Sequence, residues 1–359
     1  MSSSRVVELR GERAATVGRS SCQHGHRRVA LVFTGVTVLL AASAAVAVTL
    51  GSADLSVADV ARSVGFHLGL PVQGLPPLQD GIITRLRMPR VLLAVLVGAG
   101  LAVCGVVLQA LTGNPLADPY LLGISSGAST GAVAVVVLGL GGTALALPGG
   151  AFVGGLVAFG LVLALVGPNL NSSTQVVLAG VAASQLFSAL TSLVVVAAAD
   201  ADTTRSLTFW LLGSLAAANW AAVYTGALVA LAVVILCLAA APTLDAFAFG
   251  SESAATLGVR PGRARLVLFT ATALIAAVLV AASGAIGFVG LVVPHLARHL
   301  IGSGHRRLLP LSALLGAVFL VWADTGARTL FAPTDVPVGV ITALVGVPVF
   351  AVVLRRLRS

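Results

Sequence analysis

The sequence predicts an all-α polytopic membrane protein of about ten transmembrane helices, and three observations carry that expectation. Hydrophobic residues make up 58% of the 359-residue chain and charged residues only 9%, with a mean hydropathy of +1.06. A soluble fold of this length cannot hide so much apolar surface, so lipid must be its main solvent. Apolar runs of roughly 20 residues, the length that crosses a bilayer, recur along the chain. All 21 basic residues are arginines, and all can be assigned to loops and tails.

The runs fall near residues 29–50, 91–111, 119–140, 146–168, 174–199, 220–242, 264–283, 285–303, 308–327 and 336–354. With an inward N-terminus, fifteen arginines collect on the inner side. Six lie outside: Arg62, Arg85, Arg87, Arg90, Arg205 and Arg328. This bias fits the positive-inside rule, places both termini in the cytoplasm, and accounts for the net charge of +9 without a nucleic-acid partner.

Residues 1–28 read as a disordered, basic cytoplasmic tail ahead of a permease domain at 29–359. A signal peptide is rejected because the apolar run after the tail is a full span and further spans follow. Cys22, Cys104 and Cys237 are isolated, so no disulfide framework is implied. Cys22, His24 and His26 match no strong zinc spacing. Residues 51–90 form a long outer segment. Within it Val57, Val60, Val64 and Phe66 alternate with Asp59, Arg62 and Ser63, the pattern of an amphipathic surface helix acting as lid or brace.

An inner loop at 243–265 is expected to form two short helices, 244–248 and 251–257. Gly250 breaks them, Gly258 stops the second and Pro261 resets the chain, giving a knob shaped to dock on something. Gly98, Gly100 and Gly105 lead to Asn114-Pro115, and Gly284, Gly287 and Gly290 lead to Pro294-His295. Glycine-rich stretches about five helices apart suggest a five-plus-five inverted repeat. Gln109, Asn219 and Asp324 are polar residues in or beside spans, where polarity favours function or helix bridging; an Asp324–Arg328 ion pair is the plain alternative.

Several ordered motifs carry a resemblance: Arg87-Met88-Pro89-Arg90, the NPLADP hexapeptide from Asn114 with LLGISSGAS behind it, LGV at Leu257, GFVGLVVPHLAR from Gly287, and VPVGVITALVGVPVF from Val336. Over nearly the whole chain beyond residue 30, the sequence resembles the FecCD permease family. These are type II membrane subunits of ATP-driven importers for iron-siderophores, haem and vitamin B12. The resemblance implies a transport subunit rather than an enzyme. A second permease subunit, identical or a sister chain, would complete the path; two ATP-binding subunits and an extracytoplasmic substrate-binding protein would join it. This chain would hold no cofactor of its own, ATP and magnesium being bound by the partner ATPase.

Carried onto matching positions, the resemblance assigns Arg87, Arg90 and Arg328 to docking of the binding protein, with Arg85 and Arg205 as weaker candidates. Lipid-phosphate anchoring is the bland alternative for each. Leu244, Glu252, Leu257 and Gly258 are assigned to ATPase coupling. Asn114 and Leu116, with Ser173 and Thr174, border the cytoplasmic gate, the latter two serving equally as helix caps. His295 and His299 share a helix face, but the PH element belongs to the general family pattern, so haem ligation is not expected. Ferric siderophore is the preferred cargo, with cobalamin or haem as alternatives. A secondary ion-coupled transporter would need mid-membrane carboxylates, and an intramembrane enzyme a catalytic cluster; the sequence offers neither.

Overall fold

The computed structural model describes residues 27–51, 53–139, 146–167, 170, 172–198, 201–332 and 334–358, so most of the predicted tail, including Cys22, His24 and His26, lies outside the described residues. The first span is α1, Arg27–Thr49. A surface helix follows, α2 at Val57–His67. The long α3 runs Pro77–Thr112, with a π-helical stretch at Ile82–Arg87. A 3-10 turn at Pro119–Leu122 leads into α4, Ile124–Val137. Next come α5, Ala146–Val166, and α6, Ser173–Ala198. Beyond them lie α7, Ala201–Leu211, and α8, Trp220–Ala239. The loop after α8 holds α9, Ala241–Phe247, and α10, Ser251–Thr256. The chain ends with α11, Pro261–Ser283, α12, Val289–Ile301, α13, His305–Thr329, and α14, Val338–Arg358.

Seven of these helices are long and apolar enough to cross a membrane; α4, α12 and the apolar part of α14 are shorter. Each lies at one of the ten predicted spans. The spans are not equivalent. The apolar windows of α3, α11 and α13 are mostly buried and form the centre of the bundle, whereas α1 touches it on one side only. Close approach at the centre depends on missing side chains. A Cβ on Gly105 of α3 would sit 1.9 Å from the carbonyl oxygen of Gly290, so any other residue would push α12 away.

Two departures from expectation have local causes. The third and eighth spans begin as helices only at Ile124 and Val289. Pro119 and a left-handed Gly123 delay the first; an extended stretch from Gly284 and a left-handed Phe288 (φ 69°) delay the second. These two short helices with irregular lead-ins stand five spans apart, the spacing that the suggested repeat requires. Helix α7 lies between the fifth and sixth predicted spans, where no span was expected. By contrast α2 forms where the alternation predicts it. Ser56 and Asp59 close a reciprocal capping box at its start.

Candidate functional site

Polar side chains gather at the two ends of the bundle. At the end carrying α2, the last turn of α1 leaves backbone carbonyls without intrahelical partners. Arginines from two other spans supply the donors. Arg87 donates to the carbonyls of Val48 (3.0 Å), Thr49 (2.7 Å) and Ala53 (2.9 Å). Arg328 donates to Leu50 at 2.6 Å and to Ala47. Cations at a helix C-terminus also complement its dipole. Trp322 adds a bond from Nε1 to Ser43 Oγ at 2.9 Å, so α1 is clipped to α13 along one edge.

Arg90 completes this cluster. Its Nε lies 3.1 and 3.0 Å from the two carboxylate oxygens of Asp324, its Nη2 lies 3.0 Å from Oδ1, and its Nη1 lies 3.3 Å from Asp335. Asp324 is 1% exposed and also stands 3.7 Å from Arg328 Nε. The ion pair expected between Asp324 and Arg328 therefore forms, but Arg90 is the main partner. This geometry alters the reading of the three arginines as free docking groups. Arg87 is buried, and Arg90 and Arg328 hold bonds within the chain. Arg85 and Arg205 are exposed.

At the opposite end, α9 and α10 form the predicted knob, hinged at Gly250 (φ 91°) and stopped at Gly258 (φ 85°). Glu252, Leu257 and Gly258 lie on its exposed side, whereas Leu244 is fully buried and seats α9 on the bundle. Phe249, 77% exposed, is a surface residue of this knob that sequence reasoning did not single out; a phenylalanine beside the Gly250 break, in a loop beyond the spans, was the available signal. Asp245 of α9 accepts from the His305 backbone N–H at 3.0 Å and lies 2.6 Å from its ring Nδ1, which fixes α9 to the start of α13.

Between the knob and the bundle opens a cavity of about 420 Å³, lined in part by Gln109, Pro115, Phe249, Arg298 and His305. Gln109 joins three elements here. Its Oε1 accepts from Arg298 at 2.6 Å, and its amide donates to Ala117 (3.3 Å) and Gly290 (3.2 Å). Asn114 Oδ1 accepts from the Leu116 N–H at 2.9 Å, and this local turn presents Leu116 outward. Ser173 is half-buried and Thr174 exposed at the start of α6. Asn219 serves as N-cap of α8, accepting from Ala222 N–H at 3.0 Å. His295 and His299 stack edge to face with centroids 4.9 Å apart, and among the described residues no third metal-binding side chain joins them.

Ten apolar helices among the described residues, seven of them long enough to cross a bilayer, with a two-helix knob at one end, mark a multi-pass membrane protein. Residues 38–356 match the FecCD transport family, and the chain belongs to it. It is 43% identical over 279 residues to the hemin transport system permease protein HmuU of Yersinia pestis, covering 76% of this chain and 83% of that one. It is 41% identical over 287 residues to the cobalamin import system permease protein BtuC of Halobacterium salinarum, covering 79% and 76%. The solved inward-facing structure of a metal-chelate type ABC transporter superposes with a TM-score of 0.79 at 33% identity, covering 91% of this chain and 99% of that one. The protein is thus an ABC importer permease, a transport component and not an enzyme.

Proposed function

We propose that this chain is the permease of an importer for ferric siderophores, working in the cytoplasmic membrane of a bacterium with both termini inside. In this reading two permease subunits, identical or sister chains, enclose the path. Two ATP-binding subunits sit beneath the α9–α10 knob and an extracytoplasmic binding protein delivers the chelate at the α2 end. The observation that carries the mechanism is the knob itself. It is a polar, two-helix projection whose tip exposes Phe249, Glu252 and Leu257 while its root is fixed by Asp245 to α13. An element seated this way moves with the spans as a rigid body, as alternating access driven from outside the chain requires.

Asn114, Leu116, Ser173 and Thr174 are proposed to border the inner gate, where the short amide and hydroxyl side chains of Asn114, Ser173 and Thr174 pass a large cargo without holding it. The relatives named for hemin and for cobalamin make those two cargoes the alternatives. Uptake of radiolabelled ferric hydroxamate, cobalamin and hemin is measured in cells with the gene, without it, and with the partner ATPase inactivated. Ferric hydroxamate uptake lost in both altered strains supports the assignment. Its retention, with loss of cobalamin or hemin uptake, overturns the siderophore cargo and keeps the importer.

A further inference from the structure

Arg265 lies near the start of α11 and is 4% exposed. Its Nη1 donates to the carbonyl of Leu170 at 2.9 Å, and its Nη2 donates to the Ser251 hydroxyl at 2.9 Å. The guanidinium carbon lies 5.2 Å from the centre of the Phe247 ring, a cation–π distance. Its Nε is buried without a partner. One side chain therefore touches both helices of the knob, through Phe247 of α9 and Ser251 of α10. It also bonds the carbonyl of Leu170.

This arrangement is a poor choice for packing alone. A buried cation held by two neutral acceptors and a ring loses its hydration with little Coulombic return, and an apolar residue of similar volume would fill the space at lower energy. What arginine adds is direction. Its planar fork fixes two donors at a set angle, so the groups they hold keep one relative position. Leu170 lies three residues before Ser173, the first residue of α6.

We propose that Arg265 is a positioning residue that makes the knob and the N-terminal end of α6 move as one body, so that displacement of α9–α10 is delivered to the inner gate. The inference rests on the proposal that the knob meets the ATPase.

The test uses the complete importer, with its ATPase and binding protein, in proteoliposomes loaded with the chelate that the uptake assay returns. Substrate moved per ATP hydrolysed is compared for the wild type, Arg265→Met, Arg265→Lys and Ser251→Ala, together with ATPase copurification. A spin-label pair at Ser253→Cys and Gln175→Cys reports the distance between knob and α6 across nucleotide states. With the ATPase still bound and hydrolysing, Arg265→Met is expected to move at least roughly tenfold less substrate per ATP, since one charge-assisted hydrogen bond already represents that factor and the variant removes two. Ser251→Ala should shift the ratio the same way by less, and Arg265→Lys should fall between. The label distance should stay constant in the wild type and spread in Arg265→Met. An unchanged ratio and an unchanged label distance in an assembled Arg265→Met complex overturn the proposal. If that variant does not assemble, Ser251→Ala decides by the same two readouts. ATPase copurification that survives loss of both Phe249 and Leu257 would instead overturn the knob's assignment, and this inference with it.

Discussion

Replacing Asp324 by asparagine asks whether the arginines at the α2 end hold the bundle together or wait for a partner. The carboxylate is 1% exposed and takes three contacts of 3.0 to 3.1 Å from Arg90. Asparagine keeps the volume and removes the charge. Two guanidiniums are then left with only Asp335, a contact of 3.3 Å whose carboxylate is 43% exposed, to balance them. Breaking a buried pair by removing one partner costs about 3–5 kcal/mol. The remaining contact to Asp335 places this variant at the lower bound, about 3 kcal/mol. The loss should spread to α1, since Arg328 holds its final carbonyls beside Asp324.

Two measurements check this. One is the fraction of detergent-solubilised protein that stays monodisperse through a heating series; the other is hydrogen exchange over residues 43–53. Asp324→Asn should lose monodispersity at lower temperature and exchange faster at the end of α1. The pair Arg90→Met and Asp324→Leu closes a double-mutant cycle, with an expected coupling of about 2 kcal/mol. Wild-type melting in Asp324→Asn, or costs that simply add around the cycle, would refute the clamp. Arginines serving only to dock a binding protein would leave melting untouched and change docking affinity alone.

Other expectations follow from the same geometry. Gly105→Ala places a methyl 1.9 Å from the Gly290 carbonyl oxygen and should destabilise the bundle by about 1–3 kcal/mol or more, read by the same heating series. Changing Phe249 and Leu257 to serine removes the exposed apolar tip of the knob, so the ATPase should no longer copurify although the permease melts normally. Reversing the exposed Arg85 and Arg205 to glutamate should slow binding-protein association at low salt and leave little difference at high salt, since rim charges act mainly on the on-rate. Equal association rates at low salt would remove both from the docking surface.

Much of this architecture was legible because its causes are local. A run of about 20 apolar residues crosses a bilayer wherever it stands, and the ten predicted runs coincide with apolar helices in the structure. Gly250, Gly258 and Pro261 punctuate the knob through their own backbone preferences. Ser56 and Asp59 start α2 through bonds three residues apart. The polar clusters were not legible in this way. Arg90 and Asp324 stand 234 positions apart, and Arg265 reaches a carbonyl 95 positions away.

Hydropathy by itself could not say which spans would be neighbours. The apolar windows of α1 and α11 have nearly equal hydropathy, 2.3 and 2.4, yet 6% of the first is buried and 67% of the second. Lipid tails and protein interior are equally apolar, so a helix destined for either carries the same composition. What the sequence by itself determined was therefore the number and approximate positions of the apolar spans and the family to which they belong. Only the tertiary structure decided that Arg87, Arg90 and Arg328 face inward. Most of their partners are carbonyls and carboxylates far away in sequence, and Arg90 of α3 reaches Asp324 of α13 where small residues such as Gly98 and Gly316 let those helices approach.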